Sequence, residues 1–202
     1  MNEYRILPPS TMLNPAPAVL VSCADPAHPE RRNMITLAWA GTINSEPPMV
    51  AIGVRKERYS HGLIDASGEF VINLTDEAMC KAVDFCGVRS GRDTDKAKET
   101  GLQYMPADGL TVAPAVQGAP VSLCCKVRQK LEPGSHDVFL AEIISVMIRP
   151  DLMEADGRLR LEKAGLIAYS HGLYQKLGEV MGFFGWSVAR EEVYERRMKD
   201  YR

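Results

Sequence analysis

The chain has 202 residues, with 24 Lys and Arg against 26 Asp and Glu, a formal net charge of −2, and 46% hydrophobic and 25% charged residues. This ordinary globular composition excludes a disordered chain, and the near balance of charge excludes a sequence-independent nucleic-acid binder, which needs many phosphate contacts from a basic face. Any cationic patch is therefore local, and the length suits one well-buried core, so a single domain over 1–202 is expected.

The opening MNEYRILPPS carries Glu3, Pro8 and Pro9 and lacks the apolar core of a signal peptide. No window reaches the roughly 18 apolar residues of a membrane span, so no membrane association is expected. The five cysteines, Cys23, Cys80, Cys86, Cys124 and Cys125, are odd in number and show no CxxC spacing, which fits a reducing cytoplasm.

After the proline-punctuated NPAP, AVLVSC (Ala18 to Cys23) reads as a short buried strand. The next run, NMITLAWAGTIN, alternates over Asn33 to Asn44. Ile35, Leu37, Trp39, Gly41 and Ile43 fall on one side, and Thr36, Ala38, Ala40, Thr42 and Asn44 on a small, hydroxylated other side. SEPP breaks the chain, MVAIGV (Met49 to Val54) is another strand, and EFVINL (Glu69 to Leu74) a third.

Between them, Ser60 is placed to cap a short helix through Ala66, with Tyr59 and Ile64 at the spacing of a hydrophobic staple. Two helical stretches follow, DEAMCKAVDFCG from Asp76 and RDTDKAKETGL from Arg92, each read as closing at a glycine. Beyond Gly118, two long apolar-rich runs joined by EPGSHD predict a β-hairpin, with Cys124 and Cys125 on opposite faces, and LIAYSH a further strand. The closing AREEVYERRMKDYR sets Glu192 four before Arg196 and Glu195 four before Lys199, and predicts a surface or dimer-contacting helix. Without repeats or regular crossover helices, a mostly antiparallel β-barrel with inserted helices and a C-terminal helix is the simplest architecture.

The stretch VRKERYSHGLID gathers Arg55, Lys56 and Arg58 directly after a strand and before a helix. Solvation is one explanation. A bound anion is the other: Arg55, Lys56, the Ser60 hydroxyl and free backbone N–H groups at a helix start would together hold a phosphate. The alanines of the preceding run, poor strand formers, leave room for a planar ring. Trp39 reads as a core anchor or as a ring-stacking partner. His136, in the turn PGSHD, reads as an accessible imidazole, either merely solvated or a donor that titrates near neutrality. The four histidines show no metal-type spacing, so no metal is expected. Walker, GxSxG and GxGxxG motifs are absent, and Cys86 reads as packed rather than reactive.

Several segments in order, NMITLAWAGTINSEPPMVAIGVRKERYSHGLI, FVINL, DFCGVRSGRDTDKAKETGL, GSHDVFLAEI and GLIAYSHGLYQKLG, together resemble the flavin reductase-like family of FMN-binding split β-barrels, in its flavoredoxin-type branch. The resemblance implies a Greek-key antiparallel split barrel and a homodimer with FMN near the subunit interface. It implies ring or ribityl contacts from Asn33, Thr36 and Trp39, with Ala38 and Thr42 along the same strand, and phosphate contacts from Arg55, Lys56 and Ser60. Lys96 would be a further flavin contact, and His136 and Tyr169 would flank the isoalloxazine. The activity implied is hydride transfer from NADH or NADPH to the flavin and on to an acceptor, with His136 the candidate catalytic side chain. A flavoredoxin-like carrier reduced by a partner protein, and a non-catalytic flavin-binding protein, are the alternatives.

Overall fold

The computed structural model describes residues 3–201. The expected unit of 1–202 and the C-terminal helical segment run into residues 1, 2 and 202, which lie outside the described residues. In chain order the strands are β1 (Ala16–Pro17), β2 (Val19–Ala24), β3 (Arg32–Leu37), β4 (Ala40–Ser45) and β5 (Pro48–Arg55). Helix α1 (Tyr59–Ser67) leads to β6 (Glu69–Leu74), then α2 (Cys80–Val88) and α3 (Lys96–Thr100). There follow β7 (Tyr104–Met105), β8 (Ala115–Val116), β9 (Val121–Leu131), β10 (His136–Ile148), β11 (Ile167–Ser170), β12 (Leu173–Lys176) and α4 (Glu191–Met198).

Seven strands form one antiparallel sheet in the order β3-β2-β6-β9-β10-β5-β4. The strands at its two edges are consecutive in the chain, so the sheet curls back on itself with a seam between them. Register shifts in the β9–β10 ladder near Leu140 and Ile143, and in the β4–β5 ladder near Thr42, supply the curvature. The expected mainly β barrel with inserted helices is thus found, and so is the long hairpin.

β2 explains why AVLVSC reads as continuously apolar: it is buried on both faces. Val19, Val21 and Cys23 point into the barrel with Ile52, Val54, Phe70, Phe139 and Ile64 of α1. Leu20 points outward with Met34 against Met79, Val83 and Cys86 of the α2 region. Cys124 and Cys125 join separate clusters, as alternation on a strand requires.

Three local readings are corrected. The run Asn33 to Asn44 is two strands, not one, because the chain leaves one edge of the sheet at Leu37 and joins the other at Ala40. Helix α1 begins two residues earlier than expected, with Arg58 rather than Ser60 as the cap residue and Ser60 inside the first turn. Helix α2 continues through Gly87 and ends against an extended Arg89, whereas α3 does close on left-handed Gly101, φ 75°. No helix among the described residues is long and apolar enough to cross a membrane.

Phe70 is fully buried at the centre of the barrel cluster. Phe70→Ala should cost about 3–5 kcal/mol, read as a lower urea midpoint; a loss below about 1 kcal/mol would mean that the barrel interior is not the principal core.

Candidate functional site

The seam between β3 and β4 is a cleft. At the break, the Gly53 N–H donates to the Trp39 carbonyl at 2.8 Å, tying the crossing chain to β5. A Cβ on Gly53 would sit 3.6 Å from the Trp39 Cβ, in van der Waals contact, so this position packs directly against the root of the tryptophan. Held this way, Trp39 is 48% exposed and is not the core anchor that its apolar neighbours suggested. Its ring lies 4.2 Å from that of His136, the first residue of β10. Strand pairing sets His136 opposite Arg55, which brings the imidazole and the first of the three clustered cations to one end of the cleft.

The cleft has a volume of about 770 Å³, within the range of small-molecule sites. One wall is Thr36, Ala38 and Trp39, with Gly53, Arg55 and His136 beside them; the far wall includes Leu13, Tyr169 and His171. Tyr169 reaches it because β11 pairs with β1, setting Tyr169 opposite Ala16. His171 and Gly172 both have positive φ, 47° and 87°, as a two-residue type I′ hairpin between β11 and β12 demands.

A second hollow of about 190 Å³ shares Ile35, Arg58 and Gly87 with the cleft and is otherwise ringed by polar groups. Arg58, Arg89, Arg92 and Lys96 line it against a single carboxylate, Glu57. Arg92 donates to the Glu57 carbonyl at 2.9 Å, whereas the guanidinium groups of Arg58 and Arg89 form no ion pair among the described residues. Gly91 lets the loop close over this hollow: a Cβ there would lie 2.3 Å from Asn33 Oδ1.

Lys96 is 3% exposed, and its ammonium donates to the Met34 and Cys86 carbonyls at 2.8 and 2.7 Å. Burial, assisted by Arg58, pushes its pKa below the ordinary lysine value, while the Cys86 and Cys23 thiols act the other way. An anion in the hollow would relieve that cost. Burial also raises the Cys86 thiol to about 11, which keeps it protonated and fits the packed reading.

The expected site residues therefore separate. Thr36, Ala38, Trp39, Arg55, His136 and Tyr169 line the cleft, and Asn33 and Lys96 line the adjoining hollow. Thr36 donates its hydroxyl to the Val83 carbonyl. Three are elsewhere. Ser60 is fully buried and accepts the Asn33 amide at 2.8 Å, so its hydroxyl serves the fold rather than capping a helix or facing either hollow. Lys56 turns away from the cleft, 2.7 Å from Glu132 and 3.3 Å from Asp137. Thr42 is exposed on β4 beyond the break.

Arg58, Arg89 and Arg92 were not among the expected contacts. Their only trace in the sequence is the pair of basic clusters VRKERY and VRSGR, 30-odd positions apart. The chemistry of the combined donor set, a small-residue and aromatic slot leading into an excess of guanidinium groups, fits a flat ligand with an anionic tail.

A family profile described as a flavin reductase like domain matches residues 11–178. In three dimensions the chain is similar to the flavoredoxin of Desulfovibrio vulgaris (Miyazaki F), with a TM-score of 0.84 and 27% identity over 93% of this chain and 100% of that one. It is 28% identical over 117 residues to an uncharacterized protein of Archaeoglobus fulgidus, 58% of this chain and 66% of the relative. It is 23% identical over 121 residues to a protein of Stutzerimonas stutzeri named FMN reductase (NADH), 60% of this chain and 67% of that one. The aligned segments thus span about two thirds of these curated relatives. With its curled seven-stranded sheet, its seam cleft and a matching profile over most of its length, the chain belongs to the flavin reductase-like domain family.

Proposed function

We propose that the protein is an FMN-binding oxidoreductase that takes a hydride from NADH or NADPH and passes it to an acceptor. The observation that carries this reading is the junction of the Trp39–His136 cleft with the hollow of Arg58, Arg89, Arg92 and Lys96. A phosphorylated flavin needs a slot for its ring next to an anion site, and the relatives named for FMN and flavoredoxin agree with that chemistry. Thr36, Ala38, Trp39, His136 and Tyr169 would hold the ring system, and Arg58, Arg89 and Arg92 the phosphate, with Arg55 between and Lys96 beneath.

FMN, when bound, supplies the hydride chemistry. The chain's own part is to bind, to orient and to tune charge. Burial, together with Arg55 and Arg58, holds the His136 imidazole below the ordinary histidine pKa, so it is neutral at pH 7. Nδ1 lies 2.9 Å from the Ser135 hydroxyl, which leaves Nε2 as the ring nitrogen free to serve a ligand. A neutral imidazole here stabilises negative charge by hydrogen bonding without competing for the anion site.

The end segments carry large apolar side chains in full view of solvent: Tyr4 at 100%, Leu13 at 93%, Met181 at 85% and Phe184 at 105%. This surface supports a homodimer whose partner covers the segments beside the cleft. The five free cysteines accord with a reducing compartment, the cytoplasm.

Anaerobic mixing of the FMN-loaded protein with NADH or NADPH should bleach the oxidised flavin band. Bleaching only on adding a protein electron donor would support the carrier alternative suggested by the flavoredoxin likeness, and absence of any stoichiometric FMN binding would remove the reading altogether. His136→Ala should slow this reduction by about 10- to 100-fold, the range for losing one charge-assisted hydrogen bond, with a smaller change in FMN affinity; equal effects on both would deny His136 a role beyond binding.

The same imidazole gives a pH prediction. Its folded-state pKa lies below the unfolded value of about 6.5, so the unfolded chain takes up the proton first as pH falls. The residue therefore lowers stability as pH drops below about 6.5, until the folded midpoint is passed. An NMR titration should place His136 below about 6.5, and Arg55→Gln should raise the midpoint by removing a nearby positive charge; a midpoint indifferent to Arg55 would contradict their juxtaposition. Light scattering of the purified protein should return the mass of two chains, and a one-chain mass would exclude the dimer.

A further inference from the structure

The flavin-site reading leaves one cluster beside the cleft without a role. Asp137 follows His136 on β10 and points to the opposite face of the strand, where it is 1% exposed. Its Oδ2 lies 2.8 Å from His61 Nε2, in the first turn of α1, and its Oδ1 makes no hydrogen bond but faces Lys56 Nζ at 3.3 Å. Lys56 also pairs with Glu132 at 2.7 Å, and Lys130 links Glu132, at 3.9 Å, to Asp65 of α1, at 2.8 Å. Charges of alternating sign thus run from the helix, through the β9–β10 turn, to the corner between β5 and α1.

That corner carries the cations of the site. Arg55 ends β5, Arg58 caps α1, and both line the cleft, while Lys56 between them is drawn out of it. Arg58 has no side-chain hydrogen bond to the helix it caps, and Arg55 has only Glu57 at 3.7 Å. On the cleft side the corner is tied through its middle residue alone, where Arg92 donates to the Glu57 carbonyl at 2.9 Å, and neither arginine side chain is held by a close ion pair. It is also fixed from behind, by a buried carboxylate that takes the lysine from one side and the α1 histidine from the other. An ionised carboxylate only accepts, so His61 Nε2 carries the proton in this pair.

We infer that Asp137 and His61 are positioning residues for the anion grip, clamping the β5–α1 corner so that Arg55 and Arg58 present their guanidinium groups to a phosphate where the cleft meets the hollow. The inference rests on the proposed flavin reading but assigns residues that touch no ligand. The clamp acts on the phosphate end alone, since the ring wall at Thr36 and Trp39 is held independently by the Thr36 hydrogen bond to Val83 and the Gly53 bond to Trp39. Losing it should therefore weaken FMN and spare riboflavin, which has the same ring system and no phosphate.

The test is the ratio of riboflavin to FMN dissociation constants, read by quenching of flavin fluorescence. His61→Leu, which removes the donor to Asp137, should lower the preference for FMN about tenfold, equivalent to about 1.4 kcal/mol, with riboflavin affinity unchanged. His61→Gln, which restores a donor, should recover most of the preference. Asp137→Asn should lose it as well, and the double variant Asp137→Asn with His61→Leu should be no worse than either alone. Equal losses for both flavins, or an FMN affinity that rises when the carboxylate charge is removed, would overturn the positioning role. A parent protein with no preference for FMN over riboflavin would overturn the phosphate reading and the clamp with it, whereas an intact preference unmoved by these variants would overturn the clamp alone.

Discussion

The site depends on one crossing of the chain. Between Leu37 and Ala40 the backbone leaves the β3 edge of the curled sheet and enters the β4 edge, and no ladder hydrogen bonds join the two strands. A barrel closed by a continuous ladder would fill its seam with paired backbone. Here the crossing chain is tied to β5 by the bond from Gly53 to the Trp39 carbonyl, the seam itself stays unpaired, and the space along it is the cleft. Gly53 is suited to the position because the tryptophan backbone and ring root lie against it. On the outer side, Gly87 brings α2 close enough for the Thr36 hydroxyl to bond the Val83 carbonyl, so the wall is braced by a helix rather than by a neighbouring strand.

Charge is apportioned around this seam by pairing. Glu132 and Asp137 together take Lys56, and Asp65 takes Lys130, so the cations near the cleft that face away from it are neutralised. Burial opposes the charge of Asp137, but the hydrogen bond to His61 and the ammonium of Lys56 beside it outweigh that cost and hold its pKa below the usual carboxylate value. The arginines facing the hollow are left with one carboxylate among them, Glu57. A chain of net charge −2 thereby keeps a strongly positive interior corner without a basic surface. Such a corner has the charge and the size for a small anion.

Much of the framework was legible in the sequence because it follows from local periodicity: EFVINL is β6 to the residue, and the long hairpin falls around EPGSHD as read. What was illegible follows from convergence. Alternation continues unbroken through NMITLAWAGTIN, yet the strand breaks in the middle of it, because edge-switching is a property of the closed sheet and leaves no mark on the pattern. Ser60 has the spacing of a cap, but Asn33, which is remote in the chain, claims its hydroxyl. Three neighbouring cations were read as one patch, whereas Lys56 belongs to a buried carboxylate on β10 and Arg58 to a hollow completed by Arg89 and Arg92. SHG between β11 and β12 is a type I′ turn with histidine where asparagine is commoner, which hid a hairpin that carries part of the site.

The two walls of the cleft are built to different standards, and this bears on how a ligand enters. The near wall is part of the main sheet, backed by the barrel cluster on one side and by α2 on the other. The far wall is made of Thr11, Leu13 and Asn14 from the N-terminal segment and of the small sheet β1-β11-β12, with Asn14 joined to the His171 N–H at 3.1 Å. Leu13 is almost wholly exposed, so this segment rests on few buried contacts of its own. Segments with little buried apolar area open at low free energy, and here the opening would expose the ring slot while leaving the arginine corner intact. A ligand in this cleft would then be selected by the rigid wall and exchanged through the soft one.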